Sequence, residues 1–265
     1  MTIFNRRAVR RHRDRAAAEF DHHSFLLRDV GERLIDRLDD VRRNFPVALD
    51  LGCHDGGLGR VLNGRGGIET LFQCDLSQQM AARAGPLAIA ADEELLPFAA
   101  RSFDLVLSNL SLHWVNDLPG TFAQLRRTIK PGGLLLAAML GGDTLKELRQ
   151  ALAGAEIALE NGLSPRVSPF ADVRDAGDLL ARAGFTGAVA DSETLTVSYG
   201  NPMALLTDLR GMGETNAVIE SRKGFTARGT LMQAMKDYQE TFVDEDGRLP
   251  ATFQVIYLTA WVPEE

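Results

Sequence analysis

The spacing of apolar residues changes period along this chain, and each change marks an element. In FLLRDVGERLIDRLDDVRR, Leu27, Val30, Leu34, Leu38 and Val41 recur at steps of three and four, which predicts an amphipathic helix. Pro46 ends that run, and PVALDLG is a short unbroken apolar stretch, the pattern of a strand buried on both faces. GLGRVLNGRGG predicts a short helix closed by Gly64, and ETLFQCD a second strand. SQQMAARAG predicts a helix with Ser77 as N-cap and Gly85 as stop, followed by a third strand in LAIAAD. SFDLVLSNLSLHW opens with a fourth strand. DLPGTFAQLRRTIKPGG is a helix stopped by Pro131-Gly132-Gly133, and LLLAAML is a fifth strand. Strands alternating with helices over such a length require a parallel sheet wound right-handed, with helices on both faces.

The second half is less regular. DTLKELRQALAGAEIAL predicts a helix with the stripe Leu145, Leu148, Leu152, Ala155 and Leu159, opened by a capping box between Thr144 and Glu147. NGLSPRVSPF reads as a loop, DVRDAGDLLARAGF as a helix ended by Gly184, AVADSETLTVSYG as a sixth strand and ATFQVIYLTAWVP as a seventh. Residues 1–45 are expected to form a basic arm and a helix. Residues 46–265 then form one α/β domain with inserts at 141–170 and 201–250, placed as a helical cap over the cofactor mouth.

At 265 residues, 45% hydrophobic and 25% charged, the chain has the composition of a globular protein with room for such inserts. A formal net charge of −7 argues against general nucleic-acid binding. No apolar run is long enough to span a bilayer. Cys53 and Cys74, the two cysteines, lack ligand-like spacing and point to a reducing compartment. Charge is unevenly spread: NRRAVRRHRDRAAAEF places six arginines between Arg6 and Arg15. An organelle-targeting segment and a basic helical arm of the mature protein compete here. Asp14, Glu19 and Asp21 interrupt the run and no cleavage pattern follows, which favours the arm. Such an arm covers the cofactor, meets an acidic partner, or simply presents a solvated face.

Candidate chemistry collects just past the strand ends, where ligands of such sheets lie. Gly52 after Asp50 allows close backbone approach, and the next helix N-terminus offers free N–H groups. A dinucleotide turn needs a second glycine where His54 stands, and Asp50 would oppose a diphosphate. The turn suits a cationic headgroup such as that of S-adenosylmethionine, with Cys53 and His54 beside it. Asp75, ending the second strand, can accept both ribose hydroxyls. Asp92 and Glu93 lie near an adenine amine, Leu76 and Leu95 offer apolar faces to the base, and Asn109 comes beside the sulfonium.

The ordered run LDLGC, CDLS, ADEELLPF, SFDLVLSNLSLHWVNDL and KPGG resembles the class I S-adenosylmethionine-dependent methyltransferases, in the branch of the biotin-pathway malonyl-carrier-protein methyltransferase. RRHRDRAA, NFPVALDLGC, LGGDTLKELRQAL, SPRVSPF, DLRGMGETN and DGRLPATFQVIYLTAW are similar, nearly end to end, to the respiratory complex I assembly factor 5 family. The resemblance implies a Rossmann-like fold with a seven-stranded mostly parallel sheet and S-adenosylmethionine as cofactor. It also implies a protein or protein-tethered substrate, linked to complex I assembly. Mitochondrial members of that family are associated with hydroxylating an arginine of a core complex I subunit; bacterial ones are labelled methyltransferases from the fold. A non-catalytic assembly factor that binds the cofactor is a third reading. A bacterial chain is expected in the cytoplasm, or there against the inner membrane, and a eukaryotic one in the mitochondrial matrix.

His54 departs from the glycine common in methyltransferase turns: it tightens the mouth, contacts the ligand's carboxylate, or is a solvated loop histidine. His113 and Trp114 form a substrate platform or an aromatic anchor for the next helix. Arg166, Ser168, Met212 and Glu214 match the specific family's motifs as substrate-lining residues, against ordinary loop packing. Cys53 and Cys74 read as small buried groups rather than nucleophiles. A carboxylate acceptor needs no base, whereas an arginine stays protonated and needs Glu93, Asp117 or a cap carboxylate to orient it. Hydroxylation needs an oxidant and usually a metal or an organic redox centre. His12 and Asp14, with His113 or His54, have the ligand types of an iron site, but with five histidines such spacing arises by chance, and the arm's arginines oppose a cation. No metal site is expected.

Overall fold

The computed structural model describes residues 2–160, 162–222, 224 and 226–264. In chain order its main elements are α1 (Arg6–Ala16), α2 (Phe20–His23), α3 (Phe25–Asp39), β1 (Val47–Leu51), α4 (Gly57–Leu62), β2 (Thr70–Asp75), α5 (Gln78–Ala84), β3 (Ala88–Ala90) and β4 (Phe103–Asn109). They continue with α6 (Leu118–Thr128), β5 (Ile129–Leu140), α7 (Lys146–Glu160), α8 (Val173–Arg182), β6 (Thr186–Tyr199), α9 (Pro202–Gly211), α10 (Arg228–Phe242) and β7 (Leu249–Trp261). The strands form a single sheet in the order β3-β2-β1-β4-β5-β7-β6. β7 runs antiparallel to both its neighbours and the remaining pairs are parallel. This is the seven-stranded, mostly parallel arrangement expected. The order reverses between β1 and β4, which opens the ligand crevice at their carboxyl ends.

Central strands read as apolar runs because both faces are covered. On one face α3, α4, α7, α9 and α10 bury Leu34, Ile35, Leu148, Leu205 and Tyr238 against β5 and β7. On the other, α6 and α8 bury Phe122, Leu125 and Leu180. Each leucine fully removed from water contributes about 1.5–3 kcal/mol, so these two layers set the sheet. Local signals act as expected at several ends. Ser77 caps α5 by accepting the Met80 N–H at 3.1 Å, and Gly85 follows that helix. Asp172 and Asn201 cap α8 and α9.

Five expectations are corrected. α6 already ends at Thr128, and the Pro131-Gly132-Gly133 run lies inside β5. From Phe103 to Leu105, β4 advances two positions while β5 advances from Ile129 to Leu134, so the run bulges out of the ladder. Thr144 and Glu147 make no capping box. Thr144 Oγ1 exchanges hydrogen bonds with the Gln254 backbone at 3.1 and 3.2 Å, and Glu147 accepts from the Thr252 hydroxyl and N–H, so β7 claims both side chains. Leu159 is exposed, and Val41 lies past the end of α3. The helices of the two inserts share one apolar layer with α3 and enclose a cavity beside β5, whereas the cofactor crevice is closed by α1. Among the described residues no helix is long and apolar enough to cross a membrane.

Candidate functional site

β1 delivers Asp50 to the crevice, fully buried, with one oxygen accepting from Gln73 Nε2 at 3.2 Å and Oδ1 without a partner. Burial raises its pKa to about 7 despite the Gln73 bond, and the nearby Asp75 charge pushes the same way. The chain then turns at Gly52 (φ +67°), where a Cβ would stand 2.1 Å from the Ser111 hydroxyl oxygen. The close approach that Gly52 permits is therefore to the segment after β4.

His54 is no solvated loop residue. It is 3% exposed and sits at φ +49°, a left-handed conformation that costs most side chains energy. Its ring stacks on Phe20 at 5.6 Å, and Nε2 lies 3.3 Å from the carbonyl oxygens of both Asn109 and Leu110. Two acceptors at Nε2 place the proton there, so Nδ1 is an acceptor, and it has no partner. Burial, then the Arg13 charge, lowers the ring's pKa and keeps it neutral. Asn109 is oriented by donating Nδ2 to the Leu27 carbonyl of α3 at 2.8 Å, which leaves its Oδ1 unpartnered. Asp50, Gly52, Cys53, His54 and Asn109 line one cavity of about 390 Å3 with Phe20, Leu27 and Asp55. Cys53 and Cys74 are buried free thiols, and burial pushes both their pKa values up.

The next strand tips look alike in sequence but are occupied. Asp75 is fully buried, and its oxygens accept from the backbone N–H groups of Ser77 (2.7 Å) and His54 (3.0 Å) and from the Arg13 guanidinium (3.0 Å). Glu93 accepts from Arg13 at 3.1 Å, from Ser111 at 2.7 Å and from Arg6. Burial alone would raise the Glu93 pKa; Arg6 and then Arg13 overcome it and hold the group down at about 2. Asp92 accepts from Arg6 at 2.7 Å. Leu76 packs against the small cluster that holds the arm's Phe4 and Val9, while Leu95 is 77% exposed. Arg13 itself is 1% exposed. Its sequence signal was its place on the buried face of α1 with Val9 and Ala16. Arg6, Phe20, Asp55 and Ser111, all missed by sequence reasoning, carried no comparable signal.

A second cavity, of about 560 Å3, opens beyond Trp114 between β5, α7, α9 and α10. Leucines 140, 148, 152 and 209 line it, with Trp114, Arg166, Ser168 and Glu214. Glu214 Oε2 accepts from His113 Nε2 and from Trp114 Nε1, each at 3.0 Å. Burial raises its pKa, but His113 and Arg13 outweigh that and lower it, so it remains a carboxylate. His113 is therefore a support behind Glu214 rather than a wall of the cavity, whereas Trp114, 1% exposed, does line it. Arg166 donates to Glu156 at 2.5 Å and to Thr226 at 2.9 Å. Met212 is buried in the core and does not line the cavity. Asp117 caps α6 by accepting the Gly120 N–H and lines neither cavity.

The candidate iron ligands do not converge. His12 donates to the Thr215 carbonyl, Asp14 accepts from Ser77, and His54 and His113 are engaged as above. Among the described residues no group of three His, Cys, Asp or Glu side chains is placed to hold a metal ion.

S-adenosylmethionine fits this crevice in one half only. Asp50 Oδ1, Asn109 Oδ1 and His54 Nδ1 are three buried acceptors without donors, all on residues of the first cavity, and they suit an ammonium-bearing cationic end. With the arm as it stands, the ribose half does not fit, since Arg13 takes the free side of Asp75.

Residues 49–137 match the family described as methyltransferase domain. The chain is 42% identical to the mitochondrial arginine-hydroxylase NDUFAF5 of Homo sapiens, over 98% of this chain and 77% of that protein. It is 39% identical to the malonyl-[acyl-carrier protein] O-methyltransferase of Methylovorus sp. (strain MP688), over 99% of this chain and 90% of that one. Among solved structures, the YcgJ protein of Bacillus superposes with a TM-score of 0.60 at 13% identity, covering 89% of this chain and 99% of its own, and so shares the fold. The cofactor is S-adenosylmethionine. The chain belongs to the class I S-adenosylmethionine-dependent methyltransferase family, in the branch shared by the NDUFAF5 arginine-hydroxylases and the malonyl-carrier-protein O-methyltransferases.

Proposed function

We propose that this enzyme modifies a protein, or a group tethered to one, in the maturation of respiratory complex I, and that methyl transfer is its reaction. The observation that carries the reading is the segment Asn109–Trp114. Its first residue lines the cavity with the unpartnered acceptors and its last lines the second cavity, so five steps of chain separate the two. A substrate group entering the second cavity is thereby brought to the methionine end of the first. S-adenosylmethionine supplies an electrophilic methyl group there. This chain's own residues orient the acceptor and exclude water, with leucines on the walls and Trp114 at the divide. The relatives support a macromolecular substrate: one is named for an arginine, the other for an acyl group on a carrier protein.

A second reading, hydroxylation of an arginine on a complex I subunit, is favoured by Glu214. Its carboxylate is fixed by His113 and Trp114 at the wall of an apolar cavity, and suits a guanidinium. Both readings place the chain where complex I is assembled.

Mass spectrometry of complex I subunits from a strain lacking this gene, against its parent, separates the readings. A subunit that loses the mass of one methyl group in the deletion strain, restored by the wild-type gene, supports methyl transfer. Loss of one oxygen from an arginine replaces methylation with hydroxylation. Failed assembly with no mass change leaves a non-catalytic assembly factor.

A further inference from the structure

The N-terminal arm does more than rest on the fold. Arg13 reaches into the crevice and donates to Asp75 at 3.0 Å, to Glu93 at 3.1 Å and to the Ser111 hydroxyl at 2.9 Å. These three partners come from the ends of β2, the segment after β3 and the segment after β4, the three places a nucleoside must touch on such a sheet. The guanidinium and a ribose diol are both hydrogen-bond donors; of the roughly four acceptor sites of the Asp75 carboxylate, Ser77 and His54 take two and Arg13 a third, which leaves too few for both hydroxyls of a ribose.

The same helix is tied to the second cavity. Asn5 N–H donates to the Ala217 carbonyl at 2.8 Å, His12 to the Thr215 carbonyl at 3.0 Å, and Arg15 to the Thr215 hydroxyl at 3.1 Å. Phe4 forms an antiparallel bridge with Val218 and packs edge-on against Trp114 at 5.3 Å. Thr215 adjoins Glu214 and lines the second cavity.

We propose that Arg13 is the gate of the cofactor site: its guanidinium holds the Asp75–Glu93–Ser111 slot closed, and S-adenosylmethionine enters as the arm withdraws and releases the Thr215–Val218 segment. The two cavities are coupled through that helix, so filling the first changes the wall of the second. The proposal rests on the assignment of Asp75 to the ribose.

The gate makes a quantitative demand. If only one molecule in ten has the slot open, apparent affinity is about tenfold below that of the open form. Titration calorimetry with S-adenosylhomocysteine and with 5′-methylthioadenosine, which keeps the nucleoside but lacks the amino-acid end, is the test. Arg13→Ala is expected to bind both about tenfold or more tightly than the wild type. Arg13→Lys, which retains the charge, is expected to lie between them. Equal affinities in wild type and Arg13→Ala overturn the gate while leaving the cofactor assignment intact. Weaker binding by Arg13→Ala also overturns it, because Arg13 then helps to hold the ligand. If Asp75→Ala binds as well as the wild type, the ribose assignment itself falls. A variant-free measurement guards against misfolding: hydrogen exchange of wild-type protein with and without S-adenosylhomocysteine. Faster exchange in residues 6–16 and 215–219 on binding is expected, and added protection in both segments contradicts withdrawal.

Discussion

Asp50 and Glu93 face the same crevice, both fully buried, and are held in opposite states. Asp50 has one amide donor, an unpartnered oxygen and no cation, and burial lifts its pKa from 3.8 to about 7. Glu93 has Arg6, Arg13 and Ser111 around it, and despite equal burial its pKa drops from 4.5 to about 2. Burial is common to both, so the difference is the arm. An acidic residue at a strand tip is waiting for a ligand on one side of this crevice and already satisfied on the other. Residue type and position alone do not distinguish the two.

Removing the cation from the satisfied side is expected to have the largest effect. Arg13→Ala leaves Asp75 and Glu93 buried with one guanidinium fewer, and should cost about 3–5 kcal/mol in urea unfolding at pH 7. A loss below about 1 kcal/mol would mean that the crevice reopens to water without penalty. Acid exposes the same pairing in the wild type. Because the folded pKa of Glu93 lies below the unfolded one, its contribution is present above pH 4.5 and disappears as the pH falls from 4.5 towards 2. Roughly 3 kcal/mol should be lost across that window, and much less of it in Arg13→Ala.

The unsatisfied side should respond with the opposite sign. Asp50 has its folded pKa raised, so its neutral form favours folding. That contribution is full below pH 3.8 and is lost as the pH rises through about 7. Asp50→Asn removes the titration and should stabilise the protein by about 2–4 kcal/mol at pH 8, with little effect at pH 4. Stabilisation that is the same at both pH values would show that the gain comes from shape and not from charge. The substitution should also weaken binding of the cofactor's cationic end, as expected where a site is kept at some cost to stability.

These two halves also explain what could be read in advance. All seven strands were legible, the central ones because a strand covered on both faces must be apolar throughout, and caps such as Ser77 act within one helical turn. The Thr144–Glu147 capping box failed because Gln254 and Thr252, more than a hundred positions away, compete for the same side chains. Asp50 and Asn109 were placed at the crevice by their strands alone. The occupation of Asp75 and Glu93 was not visible, because their partners belong to a helix whose basic residues read equally well as a solvated face. The spacing of Arg13 from Val9 and Ala16 along α1 is the signal that could have set it apart, and it was not used.

His54 belongs to the unsatisfied half, and its smallest consequence is the most local. The residue combines two opposing features: a left-handed backbone at φ +49°, and a buried ring stacked on Phe20 with Nε2 between two carbonyls. Alanine at this position loses the ring and keeps the backbone strain, whereas glycine loses both. His54→Gly should therefore be more stable than His54→Ala by about 1 kcal/mol, the reverse of their order at an ordinary position. Urea midpoints of the two variants measure that difference directly. If alanine proves the more stable, the turn relaxes once the ring is gone, and the stack on Phe20 rather than the chain path sets the left-handed conformation.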